Sequence, residues 1–77
     1  MRAVISVVGK DRVGILAMVS NICAKANANV VEVTQSVLQE FFVMMMVIDI
    51  SKMNCGLADL RRELEEIPGL TVQTLSF

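Results

Sequence analysis

Few residues in this chain can do chemistry, and the most promising lie close together. The segment Gly9-Lys10-Asp11-Arg12-Val13-Gly14-Ile15 places an acid, two bases and two glycines between an apolar run and a helical pattern. At a strand-to-helix junction the first N–H groups of the helix lack internal partners and the dipole end is positive, so a carboxylate or other anion fits there. Gly14 has no Cβ and would let a ligand or a neighbouring backbone come close. It would equally serve to seat the helix tightly on a sheet. Asn29 is the second candidate, because an amide both donates and accepts and so suits a zwitterion. A plain turn or helix stop also uses asparagine, a role that fits Asn27 better. The segment is not a phosphate loop, since Ile15 and Leu16 stand where Lys and Ser or Thr are needed, and it is not a GxGxxG fingerprint.

Other chemistries are excluded by composition. There is no histidine, so no His-based general base, triad or metal site exists. Cys23 and Cys55 are distant in sequence and have no CxxC partner, so a structural zinc site and a disulfide framework are both ruled out. They read as small buried hydrophobes. Met44, Met45 and Met46 alternate between strand faces and cannot converge on one soft metal ion. No cofactor and no metal is expected. A formal charge of −1, with no Trp or Tyr and three Phe, gives neither a basic footprint nor stacking platforms for nucleic acid. The longest apolar run, residues 41–48, is far shorter than the ~20 residues of a membrane helix. A cytoplasmic protein with no membrane partner is the expectation.

The positioning elements follow from periodicity. Residues 2–8 are short and β-branched, which favours a strand. Asp11 is a good helix N-cap, and Ile15, Val19, Ile22 and Ala26 form one stripe of a helix from Val13 to about Ala26, with Gly14 in its first turn. Residues 30–38 alternate as a half-exposed strand, with Val31, Val33 and Val37 on one side and Glu32, Thr34 and Ser36 on the other. Residues 41–50 are apolar on both parities, so this strand is central and covered on both faces. Asn54 is a candidate cap for a second helix over 56–66, whose stripe is Leu57, Leu60, Leu64 and Ile67. On its outer face Asp59 can pair with Arg62, and Arg62 with Glu66. Pro68-Gly69 ends it, and residues 70–76 alternate as a last strand. The order β-α-β-β-α-β, with right-handed crossovers, gives one α+β domain over residues 1–77. It is a ferredoxin-like sandwich with a four-stranded antiparallel sheet and two helices on one face.

At these residues the chain resembles the ACT domain family. Asp11-Arg12-Val13-Gly14-Ile15-Leu16 resembles its D-R-x-G-[IVL]-[IVL] junction, and Asn29-Val30-Val31-Glu32 resembles the asparagine-containing start of its second strand. VISVVGKDRVGI with TQSVLQEFFVMMMVIDIS is similar to a group of free-standing bacterial and archaeal single-ACT-domain proteins. Family members often carry proline before the motif glycine, where this chain has Val13. The resemblance implies a regulatory, non-enzymatic domain that binds an amino acid or related carboxylate at an interface between paired domains. It implies ligand contacts at Asp11, Arg12, Val13, Gly14, Ile15 and Asn29, with Asn29 facing the junction.

Partners are expected on independent grounds. Apolar residues are 55 % of the chain, above the ~45–50 % of ordinary soluble domains. So much apolar surface on so small a body calls for a homodimer or higher homo-oligomer. A pair covering the sheet face is favoured over edge pairing, which would leave that face wet. The small-molecule effector is the second expected partner, and a protein target remains open. Two alternatives stand beside the sensor: an adaptor that docks another protein through its apolar sheet face, and an acylphosphatase-like hydrolase using Arg12 and Asn29.

Overall fold

A computed structural model describes residues 1–10 and 13–76. The elements are β1 (Arg2–Lys10), α1 (Ile15–Lys25), β2 (Asn29–Leu38), β3 (Phe41–Asp49), α2 (Leu57–Glu65) and β4 (Leu70–Ser76). All pairings are antiparallel and the strand order is β2-β3-β1-β4, so the βαββαβ ferredoxin-like sandwich is the fold.

Strand parity builds the core. Ala3, Ile5 and Val7 of β1, with Phe42, Met44, Met46 and Ile48 of β3, turn one way and are buried. Ile15, Val19 and Cys23 of α1, and Leu60 and Leu64 of α2, close over them. Burying each large aliphatic side chain stabilises by roughly 1.5–3 kcal/mol, and this layer supplies most of what holds so small a chain together. On the opposite face of β3, Met45 is 52 % exposed, so the three consecutive methionines do split between faces. β3 lies between β2 and β1, the central place its two apolar parities required.

β2 departs from expectation. All ten of its residues are exposed, not half of them. It is an edge strand that α1 scarcely covers, so alternation in its sequence does not translate into burial. Its register also slips by one residue between Val30 and Glu32, leaving Val31 in a bulge. Val30, Val33 and Val37 therefore pair with Ile48, Met46 and Phe42 on the helix side, and Val31 is not aligned with Val33.

Two caps also differ. Asn54 does not cap α2, whose N-cap is Gly56. Its amide Nδ2 instead donates to the Lys25 carbonyl at 2.9 Å, and its backbone N–H donates to Ala26 O at 3.0 Å, satisfying the carbonyl end of α1. Asn27 sits just past that end with φ 58, the left-handed stop its residue type favours. On α2, Arg62 pairs with Asp59 at 3.4 Å as expected; among the described residues the expected Arg62–Glu66 pair is not found, and Arg61 pairs with Glu65 at 3.6 Å instead.

Candidate functional site

β1 delivers the chain to the junction and α1 leaves it. Gly14 is the N-cap of α1, one residue before the helix and not inside its first turn, with φ 91. Among the described residues, a Cβ there would meet nothing within 4 Å. Close packing therefore does not explain the glycine. The left-handed backbone does. The first intrahelical bond runs from Met18 N–H to Gly14 O at 2.9 Å. The N–H groups of Ile15, Leu16 and Ala17 thus face the junction without intrahelical partners, Gly14 offers no side-chain cap, and the first turn carries no acid.

The candidate residues fare differently. Val13 is fully exposed, its side chain standing in solvent beside Gly14. Ile15 is buried in the core, so only its backbone N–H is available to a ligand. Asp11 and Arg12 lie outside the described residues. Asn29 is where a second-strand residue should be, at the first position of an exposed edge, but it does not face the junction within one chain. It aligns with Asp49, which aligns with Arg2; the other end of the same ladder is Leu38, Phe41 and Lys10. Nine-residue strands separate the two ends by nearly ~30 Å. The reason is topological: α1 runs the length of the sheet before β2 begins.

Asn29 instead lines a polar cleft of about 290 Å³ with Asn27, Asp49, Ser51 and Lys52. Asn27 Nδ2 donates to the Lys52 carbonyl at 2.8 Å, tying the α1–β2 turn to the β3–α2 loop. Asp49 Oδ1 accepts from the Ser51 N–H at 3.0 Å and from the Ser51 hydroxyl at 2.7 Å. The backbone N–H of Ser51, then its hydroxyl, hold the Asp49 carboxyl below the usual carboxylate range. Among the described residues, the side chains of Asn29 and Lys52 make no hydrogen bond or ion pair. Sequence reasoning found Asn29 but missed Asp49, Ser51 and Lys52. Their one local signal is the Asp49-Ile50-Ser51 spacing, which favours a side-chain-to-backbone turn. Among the described residues no three His, Cys, Asp or Glu side chains are grouped to hold a metal, and no helix is long and apolar enough to cross a membrane.

The family model for the ACT domain matches residues 2–74. This chain belongs to the ACT domain family. It is similar to a UPF0237 protein of Pyrobaculum aerophilum, 53 % identical over 64 residues that make up 83 % of this chain and 71 % of that one. A UPF0237 protein of Listeria monocytogenes is 47 % identical over 64 residues, 83 % of this chain and 72 % of its own. Among solved structures, an ACT domain protein from Streptococcus pneumoniae superposes with TM-score 0.82 at 35 % identity, covering 99 % of this chain and 89 % of that chain. The ACT domain is generally a small-molecule-binding regulatory module, and the junction of this ACT domain, with its glycine N-cap and open backbone donors, has the chemistry to hold an anion.

Proposed function

We propose that this ACT domain is a regulatory sensor that binds an amino acid or related small carboxylate at the junction beside Gly14, with a second copy closing the site. The reading rests chiefly on Gly14: a left-handed N-cap whose Cβ position has no described neighbour within 4 Å, over first-turn N–H groups that have no intrahelical partner. The ligand carboxylate lies on the N–H groups of Ile15, Leu16 and Ala17, flanked by Val13, with Asp11 and Arg12 adjacent in sequence.

The edge strand supplies the route for Asn29. β2 is ten residues long and fully exposed, with Glu32 as its lone charge and neither proline nor lysine to discourage pairing. Antiparallel pairing of two β2 strands sets the start of one beside the end of the other, and Leu38 marks the end of the sheet that carries Lys10 and the junction. Asn29 of the partner subunit then approaches the end where Gly14 lies, which its own chain cannot do.

Thermal melts of the protein against single amino acids at millimolar concentration test the reading. A ligand at about 100 times its dissociation constant stabilises by ~2.7 kcal/mol, a rise of roughly 10–20 °C in a domain of this size. Gly14→Val and Asn29→Ala should each abolish the shift, and mixing the two variants should restore part of it, because one mixed pair contains one intact site. No shift with any amino acid or small carboxylate overturns the proposal.

A further inference from the structure

The cleft at the far end of the sheet from Gly14 holds charged groups that a site at the junction leaves unused. Asn27, Asn29, Asp49, Ser51 and Lys52 line about 290 Å³. That is close to the lower end of the ~300–1,000 Å³ usual for small-molecule sites. Its walls are the α1–β2 turn and the β3–α2 loop. Asn27 Nδ2 bonds the Lys52 carbonyl at 2.8 Å, and Asn54 bonds the carbonyls of Lys25 and Ala26 at 2.9 and 3.0 Å, so the two walls are tied together. The cleft is formed in the free chain, and a guest does not have to order a loop to enter it.

Its charges are largely unspent. Asp49 gives Oδ1 to both groups of Ser51, while Oδ2 accepts no hydrogen bond among the described residues. The Met1 amino group reaches Oδ1 only at 3.9 Å. Arg2 aligns with Asp49 across the ladder but forms no ion pair with it among the described residues. Lys52, three positions beyond Asp49, lines the same cleft, and the two side chains do not pair with each other either. Between them the Asn29 amide offers both a donor and an acceptor. An acid and a base that share a cavity without touching suit a guest that carries both charges. A simple anion would meet Asp49 and a simple cation would meet Lys52, and like charges brought together cost affinity.

We propose that this cleft is a second small-molecule site, contained within one chain, for a short zwitterion with its charges at opposite ends, of the ω-amino acid class. The ammonium lies on Asp49 Oδ2, the carboxylate on the Lys52 ammonium, and the Asn29 amide bridges the polar ends. The junction differs in kind, because the first turn of α1 carries no acid to receive an ammonium.

Titration of the isotope-labelled protein with γ-aminobutyrate, followed by amide NMR, tests the proposal. The Ser51 and Lys52 backbone signals and the Asn29 side-chain amide should move saturably at millimolar ligand. Butyrate and butylammonium, each with one of the two charges, should bind more weakly. Asp49→Asn, which keeps an acceptor for Ser51, and Lys52→Gln should each weaken binding about threefold to tenfold, the worth of a partly exposed charge-assisted bond. Lys52→Gln alters an exposed side chain and serves alone if Asp49→Asn fails to fold. Gly14→Val should leave the titration unchanged. Signals that do not move, that move equally with butyrate or butylammonium, or that move as before in Lys52→Gln overturn the proposal. So does loss of the effect in Gly14→Val, which would put the ligand at the junction. The sensor reading is tested by the Gly14-dependent melts, so either can fail alone.

Discussion

Asn54 Nδ2 and the Lys25 carbonyl are 2.9 Å apart, which puts the stop of the first helix in the hands of a residue twenty-nine positions downstream. The bond fastens the β3–α2 loop to the end of α1, beside the Asn27–Lys52 bond that fastens the same two segments.

Asn54→Ala should cost about 0.5–1.5 kcal/mol in urea denaturation, the net worth of one hydrogen bond that water can partly replace. Asn54→Asp should cost more. A carboxylate cannot donate to Lys25, and it faces the negative end of the α1 dipole. An Asn54→Ala variant as stable as wild type would show that the bond contributes nothing, and equal stability of the Ala and Asp variants would remove the dipole effect.

Gly9 is required for a different reason from Gly14. A Cβ on Gly9 would collide with Leu70 Cδ2 and come to 2.8 Å from the Gly69 carbonyl oxygen. Because the second neighbour is backbone, the turn into β4 has to shift. Gly9→Ala should destabilise by about 1–3 kcal/mol, the usual cost of overpacking. A melting temperature equal to wild type would refute the close approach.

Acid should weaken the fold partly through Asp49. Its folded pKa is lowered, chiefly by the Ser51 N–H, so the unfolded chain binds this proton more readily than the folded one does. Stability contributed by Asp49 is fully present above the ordinary aspartate value of ~4 and is lost as the pH falls through the lower folded value. Asp49→Asn should flatten the dependence of stability on pH in that acid window and leave the neutral range without slope. An unchanged acid slope, measured by urea titrations at stepped pH, counts against this role.

The two thiols should react at very different rates. Cys23 is buried in the core, and burial pushes its thiol pKa up, so it stays protonated and out of reach. Cys55 is only partly buried. With a thiol-specific chromophore in the native state, one cysteine should react promptly and the second should wait for unfolding. Two equally fast thiols would contradict the packing of Cys23.

The sequence alone determined the order of elements and the family, because helix and strand periodicities are local and the Asp11-Arg12-Val13-Gly14-Ile15-Leu16 pattern is contiguous. It also placed β3 in the middle of the sheet from its apolar residues on both parities, although only the Phe42, Met44 and Met46 side is buried in the core and Met45 on the other side is half exposed. Tertiary structure alone decided the rest. The exposure of β2 depends on how little of it α1 covers, and the bulge at Val31 depends on pairing with β3, neither of which a single strand encodes. That Asn54 closes α1 instead of opening α2 is a contact between distant segments. The separation of Asn29 from Gly14 comes from the path of α1 along the sheet. Spacing in a sequence records which residues share an element, while the distance between two elements is set by how their apolar faces come together.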